Sequence, residues 1–381
     1  MDFSIPERLE LFRKSVAEFA EREIAPLVED MERSGEFPKQ LIPKLGEMGL
    51  LGLVTSPDYG GNGMGFLARA IAIEEISKVS AAVGITLQVH HMGCWSIETF
   101  GTEEQKKRYL PKLAGEAIGA CSITEPSGGS DVFGMKTTAK LEGDCWVING
   151  RKCFATNSHI AKTFVIVART GEDAKGRPAF STFIVEPDFE GFSLGEKGSK
   201  VGLRGAYSGE LILNDCRVPK ENLLGKEGEG LKIALATVNR VGRPGMASIS
   251  VGLCYASLEE AAKFSKERVL YGKPISNLQA IQFLLADIFS HAEAARWLNY
   301  RANWMMDQGL PCDTEMTLAK YVATENAFLC ARWACEVHGG YSCVLEYPVQ
   351  RYLRDAWTAM PSGGTSQIAK IVLARHVLKN F

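Results

Sequence analysis

The spacing of apolar residues changes period twice along this chain, and that double change limits the available folds more than any single motif does. From the start, Leu9, Phe12, Val16 and Phe19 recur at steps of three and four, which marks an amphipathic helix. The stretches Pro43 to Leu51 and Phe66 to Ile76 read the same way, and Thr102-Glu103-Glu104-Gln105 ahead of Tyr109-Leu110 reads as a capped helix start. After Glu116 the texture becomes strand-like. Trp146 to Phe154 places Asn149-Gly150 between alternating runs, which predicts a hairpin, and Phe164 to Ala168, Phe180 to Val185 and Glu210 to Leu213 predict further strands. Beyond the turn Gly225 to Gly230 helical spacing resumes, and Ala247 to Ser265, Leu278 to Met305 and Thr317 to His338 are Ala-rich and nearly free of proline, as packed helices should be. The expectation is an α+β chain in three parts: helical residues 1–120, a β-domain over 121–229 and a helical domain over 230–381.

Charge and composition narrow the function. Acids and bases are interspersed to a net charge of -2, which offers no field for nucleic acid or an anionic membrane and leaves a small molecule or a protein as partner. No window is apolar enough to span a bilayer and the first residues lack the pattern of a leader, so a cytoplasmic location is expected. The 10 cysteines contain no Cys-x-x-Cys pair, and the 6 histidines contain no His-x-x-x-His pair, so buried thiols in a reducing compartment and no metal site are expected.

Several short stretches suit oxygen-rich ligands. Pro361-Ser362-Gly363-Gly364-Thr365-Ser366-Gln367 sets two glycines at a helix N-terminus, flanked by hydroxyls and an amide, where backbone N–H groups can meet a phosphate or carbonyl oxygen. Ile123-Thr124-Glu125-Pro126-Ser127-Gly128-Gly129-Ser130-Asp131 offers exposed N–H groups and hydroxyls, and equally reads as a plain tight turn. Arg268, with Lys266 and Lys273 close by, could hold a diphosphate through its two-pronged guanidinium or be a solvated charge at a helix end. His338-Gly339-Gly340 could simply end a helix at a left-handed glycine.

These stretches, with Val337 to Tyr341 and Arg354-Asp355-Ala356 in order along a helices–sheet–helices chain, resemble the acyl-CoA dehydrogenase family of flavoproteins over essentially the whole length. The resemblance implies an N-terminal helical domain, a middle β-barrel or sandwich, a C-terminal four-helix bundle, bound FAD and a homotetramer. It assigns Cys121, Ile123, Thr124, Ser130, Phe154, Thr156, Arg268, Gln279, Glu336, Gly339, Gly340, Thr365 and Gln367 to the flavin, with Phe154 where many relatives carry Trp. Ser130, Gly242 and Arg243 fall near an acyl thioester, carried on CoA or on a carrier protein. Electron-transferring flavoprotein or another acceptor is the implied redox partner.

The usual reaction of the family removes a proton beside the thioester carbonyl with a carboxylate while hydride leaves the next carbon, and such a base contributes roughly two to four powers of ten in rate. Most relatives carry that Glu where this chain has Gly363, and some branches carry it where this chain has Gly242. The Gly363 N–H still suits the carbonyl, and the space vacated by two side chains suits a cyclic or branched acyl group. His90 or His91, on the helix that lines the acyl cavity in relatives, is the candidate for a relocated acceptor, set against a reading of each as an ordinary hydrogen-bonded histidine. The alternatives are an enoyl-thioester reductase or another flavin chemistry that needs no base, and a non-catalytic binder of FAD and acyl-CoA. A desulfinase would need a cavity arginine, and 81–100 contains none.

Overall fold

A computed structural model describes residues 4–381. Six helices come first: α1 (Glu7–Phe19), α2 (Val28–Ser34), α3 (Leu41–Glu47), α4 (Phe66–Val79), α5 (Ala81–Phe100) and α6 (Glu103–Gly115). The start of α6 is the predicted capping box, with Thr102 Oγ1 accepting the Gln105 N–H at 3.3 Å and Gln105 Oε1 accepting the Thr102 N–H at 3.0 Å. Helices α4 and α5 are buried almost all round, which is why neither shows the one-sided pattern of a surface helix. Glu74, on α4 and wholly buried, takes Arg13 from α1 and both Arg296 and Tyr300 from a later helix, so a closed charge cluster fastens three helices together.

Eight strands follow: β1 (Ile118–Ser122), β2 (Thr138–Glu142), β3 (Cys145–Thr156), β4 (Ala161–Glu172), β5 (Pro178–Val185), β6 (Phe192–Lys197), β7 (Ser208–Pro219) and β8 (Leu223–Leu224). They form one sheet in the order β6-β7-β3-β2-β4-β5-β8, with β1 lying parallel on β4.

The hairpin predicted at Asn149-Gly150 is wrong. Those residues sit inside the single strand β3, at a bulge where the register against β7 shifts between Ile148 and Gly150. The Asn149 side chain exchanges two hydrogen bonds with Asp215 on β7, at 2.9 and 2.8 Å, so Asn149 is spent across the sheet instead of in a turn. The reversal comes one step earlier, where Glu142 pairs with Cys145 and Gly143 takes φ 63°.

The chain then returns to helix: α7 (Gly230–Thr237), α8 (Arg243–Glu267), α9 (Gln279–Asp307), α10 (Asp313–His338), α11 (Val349–Ala359) and α12 (Ser366–Asn380). Helix α8 is the hub, packing on α4, α5, α9, α10 and α11. It is entered through a π-helical turn over Val238–Gly242, a local widening that sequence periodicity does not show and that often marks a functional site.

Candidate active site

Gly363 and Gly242 face each other. A Cβ placed on Gly363 would lie 3.7 Å from the carbonyl carbon and oxygen of Gly242 and 3.3 Å from Met246 Cγ. A Cβ on Gly242 would meet only the movable end of Met92, at 3.4 to 3.6 Å, before the carbonyl of Thr237. The loop carrying Gly363 turns through two left-handed glycines, φ 69° at Gly363 and 96° at Gly364, and then enters α12 at the Thr365 cap, whose hydroxyl accepts the Ile368 N–H. Lys320, buried on α10, clamps this loop by donating to the carbonyls of Met360 and Gly364, each at 2.7 Å. Burial, helped by the nearby Arg243 charge and only partly opposed by Glu325, holds that ammonium down to about 8. Among the described residues the Gly363 N–H has no backbone acceptor, so a donor remains free at this seat.

The two candidate histidines do not serve as proton acceptors. The Gly119 N–H donates to His90 Nδ1 at 2.9 Å, so Nε2 carries the ring hydrogen and donates to the Leu51 carbonyl at 3.0 Å. Arg69 Nε donates to His91 Nδ1 at 3.2 Å, and His91 Nε2 donates to the Leu50 carbonyl at 2.8 Å. Both imidazoles are fully buried with both nitrogens committed. Burial pushes His90 down to about 4, and burial with the adjacent Arg69 charge holds His91 well below the usual range. They are struts that fasten 50–51 to α5 and β1.

Around the assigned flavin face the β-domain presents a strained edge. Phe154 takes φ 53° at a register shift in β3 and leaves its ring 76% exposed. Such a left-handed aromatic is a strained backbone position. Asn157, also left-handed at φ 68°, donates to the carbonyls of Thr86 and Gly119 and so locks the end of β3 to α5 and β1. Glu125 is buried and receives the Lys136 and Thr137 N–H groups and the Lys152 ammonium, while Asp131 caps Phe133, so these two carboxylates hold the loop around Ser130 in shape. At the far end Arg268 stacks over the Tyr341 ring at 5.3 Å, which brings it beside Gly339 and Gly340. Glu336, one turn before those glycines, pairs with Arg332 at 3.5 Å.

A family profile for the acyl-CoA dehydrogenase N-terminal domain matches residues 6–117, one for the middle domain matches 120–216 and one for the C-terminal domain matches 228–378. The chain belongs to the acyl-CoA dehydrogenase family. It is 44% identical to an acyl-CoA dehydrogenase of Bacillus subtilis (strain 168), over 97% of each chain. It is 40% identical to the acryloyl-CoA reductase (NADH) of Anaerotignum propionicum, over 100% of this chain and 96% of that one. A chain solved in work on the electron-transferring flavoprotein of Acidaminococcus fermentans and flavin-based electron bifurcation superimposes with a TM-score of 0.96 at 40% identity, covering 100% of both. Acyl-CoA dehydrogenases are FAD-dependent oxidoreductases acting on CH–CH bonds, and this chain is one of them.

The residues fit that cofactor. Among the described residues the side chains of Ser130, Thr156, Gln279 and Gln367 make no hydrogen bond within the chain, and Arg268 has no carboxylate partner, so their polar groups are unspent. Cys121, half-buried on β1, is a protonated thiol pushed up to about 12 by burial and is no nucleophile. The Arg243 guanidinium spends one nitrogen on Asn239 and Thr317, both at 2.6 Å, directly beside Gly242. Sequence reading missed Arg69, Lys320, Asn157 and the π-helical turn; a lone Arg in an otherwise apolar stretch of α4 is the one signal that was visible.

Proposed function

We propose that this chain reduces an enoyl thioester, working without a side-chain proton acceptor at carbon 2 of the acyl group. The pairing of Gly242 with Gly363 carries the reading. Two seats that elsewhere in the family hold a Glu offer backbone only, and the two imidazoles nearby are committed to carbonyls. Bound FAD would supply hydride exchange with carbon 3. Ser130, Thr156, Thr365 and Gln367 with Phe154 would hold its ring, and Arg268, Gln279, Glu336, Gly339 and Gly340 its diphosphate and adenosine end.

The chain's own contribution is position and polarity. The free Gly363 N–H donates to the thioester carbonyl, and a fixed backbone donor there favours negative charge developing on that oxygen. Carbon 2 then takes its proton from solvent. The opposite direction needs a group that pulls a proton from carbon, and no carboxylate or free imidazole stands at either seat. The similarity to an acryloyl-CoA reductase supports this direction, and the similarity to a chain solved in work on an electron-transferring flavoprotein supports such a protein as redox partner.

Exposed Phe283, Phe289, Trp297 and Trp304 on α9, with Ile371, Val377 and Leu378 on α12, leave apolar faces of the kind that subunit contacts cover, which supports a homotetramer. No helix among the described residues is long and apolar enough to cross a membrane.

The test is anaerobic. Reduced holoenzyme mixed with a 2-enoyl-CoA in deuterated buffer is expected to regain the oxidised flavin spectrum and to place deuterium at carbon 2. Rapid bleaching of oxidised holoenzyme by the saturated thioester, at rates typical of Glu-bearing relatives, would overturn the reading. Failure of both reactions would mark a non-catalytic binder.

A further inference from the structure

Arg69 is wholly buried on α4, yet among the described residues no carboxylate pairs with it. The contrast with Arg13 and Arg296 is direct, since both of those close on the buried Glu74. Arg69 instead donates from Nε to His91 Nδ1 at 3.2 Å and from Nη2 to the Val241 carbonyl at 3.1 Å, both neutral acceptors, and its Nη1 is buried with no partner at all. Burial without an opposing charge holds this guanidinium down to about 9. A buried, uncompensated cation is costly and buried charges are ordinarily paired, so an anion arriving from outside the chain would relieve this one.

Its position says where that partner sits. Arg69 Nη2 would lie 2.7 Å from a Cβ on Gly245, and Gln88 Cγ would lie closer still, so Gly245 is a glycine because the guanidinium and Gln88 occupy its side-chain space. Gly245 is three residues beyond Gly242 at the start of α8, hence on the same face and about 5 Å further along the axis. Gln88 links the surroundings of Arg69 to the Gly242–Gly363 seat, donating to the Gly242 carbonyl and to the Sδ of Met92 at 3.2 Å each. Gln88 and Met92 are unbranched side chains that can move aside.

We propose that Arg69 is the anchor for a carboxylate at the far end of the acyl group, so that the thioester acted on is the mono-CoA ester of a short dicarboxylic acid or its unsaturated counterpart. The proposal rests on the acyl-thioester reading of the site. The carbonyl end meets the Gly363 N–H, and the carboxylate, a few carbons away along α8, receives the unpartnered Nη1 hydrogens in a charge-assisted pair.

The experiment titrates oxidised holoenzyme with glutaryl-CoA, its monomethyl ester and pentanoyl-CoA, reading dissociation constants from the shift of the bound flavin spectrum and from calorimetry. Wild type is expected to bind glutaryl-CoA at least ten-fold more tightly than the two neutral thioesters. Arg69→Met should erase that preference while leaving the pentanoyl-CoA constant within about three-fold, and Arg69→Lys should keep part of it. Equal binding of the three thioesters by wild type overturns the proposal without any variant, so a misfolded Arg69→Met does not leave it open. Preference retained in Arg69→Met also overturns it. Absence of binding by every thioester removes the acyl-thioester reading together with the proposal, whereas selective binding without turnover removes only the catalytic reading.

Discussion

Gly363 stands against Gly242, its missing side chain 3.7 Å from the Gly242 carbonyl, yet the two glycines differ in what they can accept. Gly242 has helical backbone angles, φ -64° and ψ -57°, and open contact only with the end of Met92. Gly363 is left-handed at φ 69°. Gly242→Glu is therefore expected to install a proton acceptor and raise flavin bleaching by a saturated acyl-CoA by roughly two to four powers of ten. Gly363→Glu should instead lose about 1–2 kcal/mol of stability from backbone strain. Stopped-flow reduction and thermal unfolding of the two variants check this, and equal gains from both would contradict it.

His90 should make the fold acid-sensitive. Its folded value of about 4 lies below the 6.5 of the unfolded chain, so the unfolded state binds more protons between those limits. Stability is then full above pH 6.5 and falls as pH drops toward 4, by about 1.4 kcal/mol per pH unit at most for this one group. Urea midpoints measured from pH 7 to pH 4 should fall less steeply in His90→Gln, once its lower starting stability is subtracted.

Lys320→Met is expected to loosen the loop that presents Gly363. The carbonyls of Met360 and Gly364 lose their shared donor, at a cost of about 1–3 kcal/mol, and thioester binding should weaken while flavin content holds. Unchanged thioester affinity in a stably folded Lys320→Met protein would show that the clamp is idle.

Phe154 sets stability against cofactor binding. Phe154→Gly removes a left-handed aromatic and should stabilise flavin-free protein by about 1 kcal/mol, because glycine adopts that backbone without steric penalty. The same change removes the exposed ring and should weaken FAD retention. Melting of the flavin-free and flavin-loaded proteins side by side separates the two effects.

Sequence alone determined the three-part order of the chain, the motifs that run through it, and the presence of glycine at both seats where the family places its carboxylate. Those features are local: a helix period, a strand period and a capping box are complete within a few residues. Local patterns misled where the deciding partner lay elsewhere. Asn149-Gly150 carries the chemistry of a turn, but Asp215 on the neighbouring strand consumes the Asn149 side chain and makes the pair a bulge. His90 and His91 looked available until Gly119, Leu50, Leu51 and Arg69 were folded around them and took every ring nitrogen. Only the tertiary structure set Gly363 against Gly242 and left Arg69 without a counter-charge among the described residues, because burial and hydrogen-bond satisfaction depend on residues that meet across the fold.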